Sequence, residues 1–253
     1  MIYYQKLAAI PAFTFNEAAK IIGSKEYTSK VMNTMVRNGN IHRVRKDLYT
    51  CVNFGTGDDF ASRFQIASKI NQNCFISFHS AFEFYGFYNQ TYFEIQVCSP
   101  KRFSEFSYGD YLYKWFPTDS MAQVQNIQGT KVVTIERAIV DSVYRLGKLI
   151  DTEELVKCLD LIHRIDENKI LEMLSIYHQE RLYRKIGYIL SFYQKDFSIS
   201  DSFFDTCKKN SVLSNKGFLI NDDKTNLVFD SNWGLYAYGN LKKLSDKGGN
   251  PDV

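Results

Sequence analysis

Residues 13–53 read FTFNEAAKIIGSKEYTSKVMNTMVRNGNIHRVRKDLYTCVN, and this stretch decides the fold of the first part of the chain. Thr14 and Glu17 have the spacing of a capping box, in which a hydroxyl and a carboxylate three residues later satisfy free N–H groups at a helix start. Gly23-Ser24 breaks this helix and begins a second one, which Asn38-Gly39 ends. The predicted order is helix, turn, helix.

The second helix has one apolar face and one polar face. The side chains that recur at helical spacing and should be buried are Thr28, Val31, Met32 and Met35. The opposite face carries cations and short hydrogen-bonding groups, which is the composition that contacts phosphates and base edges in a major groove. The residues of that face are Glu26, Ser29, Lys30, Asn33 and Arg37.

A basic hairpin follows at residues 41–52, with Lys46-Asp47 at its turn, and it is predicted to form a two-stranded wing. Cations at Arg43, Arg45 and Lys46 repel one another on a surface hairpin unless an anion such as a phosphate backbone lies beside them. Basic hairpins without such a partner are common, and helix-turn-helix shapes also occur in protein-interaction domains. The residues expected to contact DNA are Ser29, Lys30, Asn33, Arg37, Arg43, Arg45 and Lys46.

This pattern resembles the N-terminal winged helix of the AbiEi family of antitoxins, which belong to abortive-infection, type IV toxin–antitoxin systems of phage defence. A second stretch, VTIERAIVD at residues 133–141, is similar to a T-x-E-R-x-I-x-D helix in the second domain of that family. Asp47 stands where family members usually have a small turn residue, and aspartate tolerates a turn. The resemblance covers residues 1 to about 190. Its first motif is carried by Ile22-Gly23-Ser24, Val36-Arg37-Asn38-Gly39, Ile41, Arg43-Val44-Arg45 and Tyr49.

The resemblance implies a function. It implies an antitoxin that represses its own operon as a DNA-binding transcriptional repressor. It also implies that this antitoxin neutralises a nucleotidyltransferase-like toxin, functionally if not as a stable complex. The residues of the second domain that oppose the toxin are not indicated by any motif.

Composition and charge suggest two domains. The chain has 253 residues, of which 45% are hydrophobic, so it can bury sizeable cores. Residues 1–57 contain 8 Lys and Arg against 3 Asp and Glu, whereas the rest of the chain contains 23 against 25. We predict an α+β protein with a winged helix-turn-helix domain at residues 1–57. A mixed α/β antitoxin domain with a helical C-terminal half follows at 58–253, and we allow for a small C-terminal subregion at 200–245.

Hydrophobic periodicity predicts the elements of the second domain. Helices are expected over residues 60–70, 79–86 and 134–146, with three more between 152 and 194. Paired strands are expected at 92–98 and 111–116, with a Gly-Asp turn between them. Shorter strands are expected at 74–78, around 131–133, at 218–220 and at 227–229.

No pattern of catalytic or metal-binding residues is present in the sequence. The four histidines form no pair at ligand spacing, and the five cysteines are widely spaced, so we expect reduced, mostly buried thiols, no metal and no cofactor. Restriction-type nucleases place a lysine two residues after an acid on a strand, but here Glu94 is followed by Gln96, and an upstream acid such as Glu83 has no support. We therefore predict that the chain is not an enzyme. The alternative is a nuclease-like enzyme delivered to DNA by its winged helix.

The remaining expectations concern location and assembly. No segment approaches the roughly 20 apolar residues that span a bilayer, and no signal sequence is recognisable, so we predict a cytoplasmic protein without a membrane partner. No heptad pattern indicates a permanent dimer. One recognition helix reads too few base pairs to mark a single genomic site. We therefore predict a monomer in solution and two copies on an inverted-repeat operator in double-stranded DNA.

Overall fold

The structure is a computed structural model and describes residues 2–211, 215–220 and 227–244. Helices account for 43% and sheets for 22%, which confirms the predicted α+β class. The chain divides into two compact units, Met1–Ile76 with Tyr92–Val133 and Ser77–Thr91 with Thr134–Val253. The boundary predicted after residue 57 lies inside the first unit.

The N-terminal part of the first unit is a winged helix-turn-helix. Its three-stranded antiparallel sheet has the order β1-β3-β2, so the wing hairpin is joined by a short strand that precedes α2. Helix α3 packs against β2. The elements are α1 (Ile2–Ala8), β1 (Ala12–Phe13), α2 (Phe15–Ile22), α3 (Lys25–Arg37), β2 (Ile41–Arg45) and β3 (Leu48–Cys51).

Both helices of this motif begin at the capping residues that the sequence predicts. Thr14 accepts a hydrogen bond from the backbone N–H of Glu17, whose carboxylate accepts one from the N–H of Thr14 at 2.8 Å. Ser24 caps α3 by accepting from the N–H of Tyr27. The helices then enclose one apolar core, made of Leu7, Phe13, Ala18, Ile22, Met32, Met35, Ile41 and Cys51.

A six-stranded sheet with the order β6-β7-β5-β4-β9-β8 forms the rest of the first unit. The predicted pairing of residues 92–98 with 111–116 is confirmed, and the two strands run parallel. The Gly109-Asp110 turn joins β7 to β6, a strand that the sequence did not indicate. Helix α4 (Arg63–Lys69) contacts the sheet. The strands are β4 (Phe75–Ile76), β5 (Glu94–Ser99), β6 (Phe106–Tyr108), β7 (Tyr111–Pro117), β8 (Val124–Ile127) and β9 (Thr130–Val133).

The second unit is mainly helical and ends in a small sheet of order β10-β12-β11. The three helices predicted between residues 152 and 194 are confirmed as α7 to α9, whereas α10, α11 and β12 were not predicted. The helices are α5 (Phe78–Tyr85), α6 (Ile135–Tyr144), α7 (Thr152–Asp160), α8 (Glu167–Tyr177), α9 (Glu180–Ser191), α10 (Gln194–Phe197) and α11 (Asp201–Lys209). The strands are β10 (Gly217–Phe218), β11 (Leu227–Asp230) and β12 (Leu235–Tyr238). Part of the strand predicted at 218–220 lies in β10.

Helix α6 carries the second motif, whose polar residues hold the second unit together. Asp141 is 1% exposed and accepts hydrogen bonds from Ser77 Oγ at 2.5 Å and from the Tyr177 hydroxyl at 2.7 Å. Arg137, one turn earlier, lies 3.3 Å from the same carboxylate. Buried charges need such partners because desolvation is costly. The motif therefore has a structural role in connecting α5, α6 and α8.

All five cysteines are free and buried, as expected from their spacing. Among the residues that the structure describes, no helix combines the length and the apolar character needed to cross a membrane.

Candidate nucleic-acid interface

Helix α3 separates its two faces as predicted. Thr28, Met32 and Met35 are buried in the described fold, and Val31 is half-buried. On the other face, every side chain predicted to contact DNA is exposed. Those side chains are Ser29, Lys30, Asn33 and Arg37.

The wing is a hairpin with a bulge between Arg43 and Arg45. At its turn, Asp47 has φ 64°, a left-handed conformation that Gly, Asn and Asp adopt most readily. The Asp47 carboxylate also accepts a hydrogen bond from the backbone N–H of Phe15 at 3.0 Å. Aspartate therefore makes the turn and also satisfies an N–H group in the first turn of α2, which a glycine does not do.

The three wing cations are in different environments. Arg43 and Lys46 are exposed, whereas Arg45 is half-buried. The Arg45 guanidinium lies over two rings, 5.8 Å from the centre of Phe103 and 4.7 Å from that of Phe106. A phosphate contact from Arg45 stays a prediction, but the structure gives this side chain a packing role between the wing and β6.

A second set of wing contacts was not predicted. His42 Nδ1 lies 2.8 Å from Asp59 Oδ1, and Asp59 Oδ2 accepts a hydrogen bond from the Tyr108 hydroxyl at 2.6 Å. Burial, together with the hydrogen bond to Asp59, raises the pKa of Tyr108 well above its usual value. The sequence did not indicate this role for Asp59. In the structure it connects the wing to β6.

Helix α2 is tied to α4 by one ion pair. Lys69 Nζ lies 2.6 Å from Glu17 Oε1. Burial alone raises the pKa of Glu17, but hydrogen bonds from Lys69 and from the backbone of Thr14 outweigh it, so the pKa is lowered. The capping glutamate therefore also fixes the position of the helix-turn-helix within the first unit.

The strand considered for nuclease chemistry carries its acid beside a cation. Glu94 Oε2 lies 2.6 Å from Lys114 Nζ, and the hydrogen bond to Glu94 raises the pKa of Lys114. The parallel register of β5 and β7 places Lys114 opposite Gln96. The lysine beside Glu94 thus comes from the neighbouring strand and not from the position two residues later in the sequence. Glu83 is buried in the second unit.

Comparisons with known proteins inform the fold only. A scan against models of known protein families finds no match, and a search of curated proteins finds none either. The chain is similar to the crystal structure of the RV2827C protein from Mycobacterium tuberculosis, with 14% sequence identity and a TM-score of 0.66. The similarity covers 98% of this chain and 93% of that chain. At this identity it shows that the fold is shared along nearly the whole chain.

Proposed function

We propose that this protein binds double-stranded DNA and represses transcription through α3 and the wing. The observation that carries the proposal is the exposure of Ser29, Lys30, Asn33 and Arg37 on one face of α3. Helix α3 packs against β2, the strand that carries Arg43, and the next residue after β2 is the exposed Lys46.

The two elements have different tasks. A recognition helix in a major groove reads base edges with short polar side chains and arginine. A cationic wing contacts phosphates and adds affinity that does not depend on sequence. The excess of Lys and Arg over Asp and Glu in residues 1–57 favours the same anionic partner.

The full proposal is a cytoplasmic antitoxin that represses its own operon and opposes a nucleotidyltransferase-like toxin. The resemblance of the two sequence motifs to the AbiEi antitoxins supports this part. The test is co-expression of the full chain with the product of the adjacent gene. Toxicity of that product and restored growth on co-expression are expected. A toxic neighbour that this chain fails to counter contradicts the antitoxin proposal.

DNA binding is tested separately. The full chain is titrated against the region upstream of its own gene and against unrelated DNA of equal length, alongside a variant that carries Lys30→Ala, Asn33→Ala and Arg37→Ala. Lys148→Ala is the matched control, because Lys148 is exposed in the second unit. Preferential binding by the full chain and by the control, lost in the triple variant, is expected. Equal binding by all three proteins contradicts the assignment to α3.

The nuclease-like enzyme remains the second candidate, because Lys114 stands beside Glu94. Metal-dependent nucleases use an acid and a lysine to bind a divalent ion and activate water. We expect no cleavage of DNA or RNA by the purified chain with magnesium or manganese. If the chain does cleave nucleic acid and Glu94→Ala abolishes the cleavage, the nuclease proposal is favoured over the antitoxin proposal.

A further inference from the structure

A buried cluster of potential metal ligands lies inside the second unit. Helix α5 contributes His79, and α7 contributes Glu154 and Cys158, which are one turn apart. One ligand atom of each residue lies within 4.8 Å of the others. All three residues are at most 2% exposed. The cluster takes no part in the proposed DNA interface.

Two distances within the cluster approach those between the ligands of a tetrahedral zinc site. Glu154 Oε1 lies 3.5 Å from His79 Nδ1 and 3.7 Å from Cys158 Sγ. Zinc bonds of about 2.0 Å to nitrogen or oxygen and about 2.3 Å to sulfur place neighbouring tetrahedral ligands about 3.3 to 3.5 Å apart. Shifts of a few tenths of an ångström therefore bring Glu154 Oε1 to the separations from His79 Nδ1 and Cys158 Sγ that ligands of one zinc ion have.

The outward-facing atoms of two of these ligands are already held by polar partners. The Gln90 amide donates to Glu154 Oε2 at 3.1 Å, which leaves Oε1 facing the cluster. His79 Nε2 lies 3.2 Å from the Gln90 carbonyl oxygen and 3.4 Å from Glu83 Oε1. Histidine ligands of zinc usually donate their second N–H to a carboxylate or a backbone carbonyl in this way, which fixes the tautomer.

We propose that His79 Nδ1, Glu154 Oε1 and Cys158 Sγ bind one zinc ion, with water as the fourth ligand. The mixture of nitrogen, oxygen and sulfur donors suits Zn²⁺ better than the hard cations Mg²⁺ and Ca²⁺, which prefer oxygen ligands alone. Binding releases the thiol proton of Cys158, because the thiolate is the ligand. The ion would join α5 to α7 and stabilise the second unit.

A bound divalent ion would change the ionisation of the cluster. Burial raises the pKa of Glu154, and the neighbouring His79 only partly offsets this. Burial also raises the pKa of Cys158, and the charges of Glu154 and Glu83 raise it further. A divalent ion reverses these effects, since it stabilises the carboxylate and the thiolate that bind it. Without an ion, the same residues form a buried histidine–glutamate network with a neutral thiol.

Titration with Co²⁺ distinguishes a metal site from a metal-free histidine–glutamate network. Co²⁺ replaces Zn²⁺ in tetrahedral sites and gives a thiolate-to-cobalt charge-transfer band in the near ultraviolet when cysteine is a ligand. The full chain, first freed of metal with a chelator, is titrated with Co²⁺, and Zn²⁺ is then added. We expect the band to saturate at one equivalent of Co²⁺ and to disappear when Zn²⁺ displaces it. Absence of the band in the folded wild-type chain overturns the proposal.

Matched variants locate the site. Cys158→Ser should abolish the charge-transfer band, whereas Cys207→Ser, at another buried cysteine of the second unit, should retain it. Glu83→Gln leaves the three ligands in place, and we expect it to weaken Zn²⁺ binding by about 10- to 100-fold, as loss of such outer partners typically does. Retention of the band in Cys158→Ser, or its loss in a folded Cys207→Ser, overturns the assignment.

Discussion

The guanidinium carbon of Arg45 lies 4.7 Å from the centre of the Phe106 ring, so one wing cation packs on β6. A cation over an aromatic ring contributes about 0.5 to 2 kcal/mol, depending on its exposure. The position of the wing relative to its own unit therefore depends on this contact and on the His42–Asp59 pair.

A substitution series distinguishes packing from phosphate contact at Arg45. Lysine keeps the charge but lacks the planar group that stacks on a ring. If packing is the main role, Arg45→Lys and Phe106→Leu should each reduce protection of wing amides from hydrogen exchange. The double variant should then be little worse than either single one. If Arg45→Lys retains full wing protection while Arg45→Ala loses DNA affinity, the charge alone is needed.

Arg43 and Lys46 are expected to contact phosphates, since both are exposed in the wing. Each substitution to alanine should weaken binding to specific and unrelated DNA by a similar factor. Each should also reduce the slope of log K against log salt by about 0.9. Fluorescence anisotropy over a range of salt concentrations measures both quantities. An unchanged slope in the double variant would show that the wing does not lie on the DNA backbone.

The polar face of α3 should set sequence preference. Replacement of Arg37 or Asn33 by alanine is expected to relax selectivity at individual base pairs by about 1 to 3 kcal/mol, the value of a well-placed contact to a base edge. Selection of binding sites from a random DNA library, with wild type and variants in parallel, reports this directly. Identical site preferences would place base recognition on another surface.

The lowered pKa of Glu17 predicts that the stability of the fold depends on pH. Because its pKa is lowered on folding, its contribution is present above the unfolded-state value of about 4.3 and is lost as pH falls through the folded value. Glu17→Gln keeps a capping-box side chain but removes the charge that pairs with Lys69. Its cost in free energy of unfolding, below about 1 kcal/mol for a partly exposed pair, should be measurable by urea unfolding at pH 7 and should be smaller at about pH 3. An equal cost at both pH values would contradict the ion pair.

The operator is predicted to be an inverted repeat bound by two copies of the chain. Among the described residues there is one helix-turn-helix, and one recognition helix reads too few base pairs for a useful genomic site. A gel-shift titration should show two bound species with positive cooperativity. Mutation of one half-site should abolish the slower species. Saturation of the intact operator by a single chain would exclude this arrangement.

The winged helix was predictable because its signals are local. Capping by Thr14 and Ser24, the two faces of α3 and the Asp47 turn all involve residues a few positions apart in sequence. Such short-range patterns largely determine where helices begin and which side is buried. The same reasoning found four of the exposed side chains of the candidate interface on α3.

The contacts that the sequence did not indicate are formed between distant segments. The stacking of Arg45 on Phe106 depends on β6, a three-residue strand too short to show periodicity. Lys114 reaches Glu94 through the parallel pairing of β5 and β7, and the Gly109-Asp110 turn forms its antiparallel hairpin with β6 instead. His79 lies on α5, whereas Glu154 and Cys158 lie on α7, far away in the sequence, so spacing rules for metal ligands could not find them.

The chain passes between its two units three times, after residues 76, 91 and 133, and this affects its folding during synthesis. Strand β4 cannot pair with β9 until Val132 has been made. The apolar side chains of α5, such as Phe82, stay uncovered for about as long, until α6 has been synthesised. At about 5 to 20 residues per second, the emerging chain carries an incomplete sheet and an uncovered helix for roughly 3 to 11 seconds. A ribosome-bound chaperone that shields apolar segments would therefore find exposed targets between residues 75 and 133.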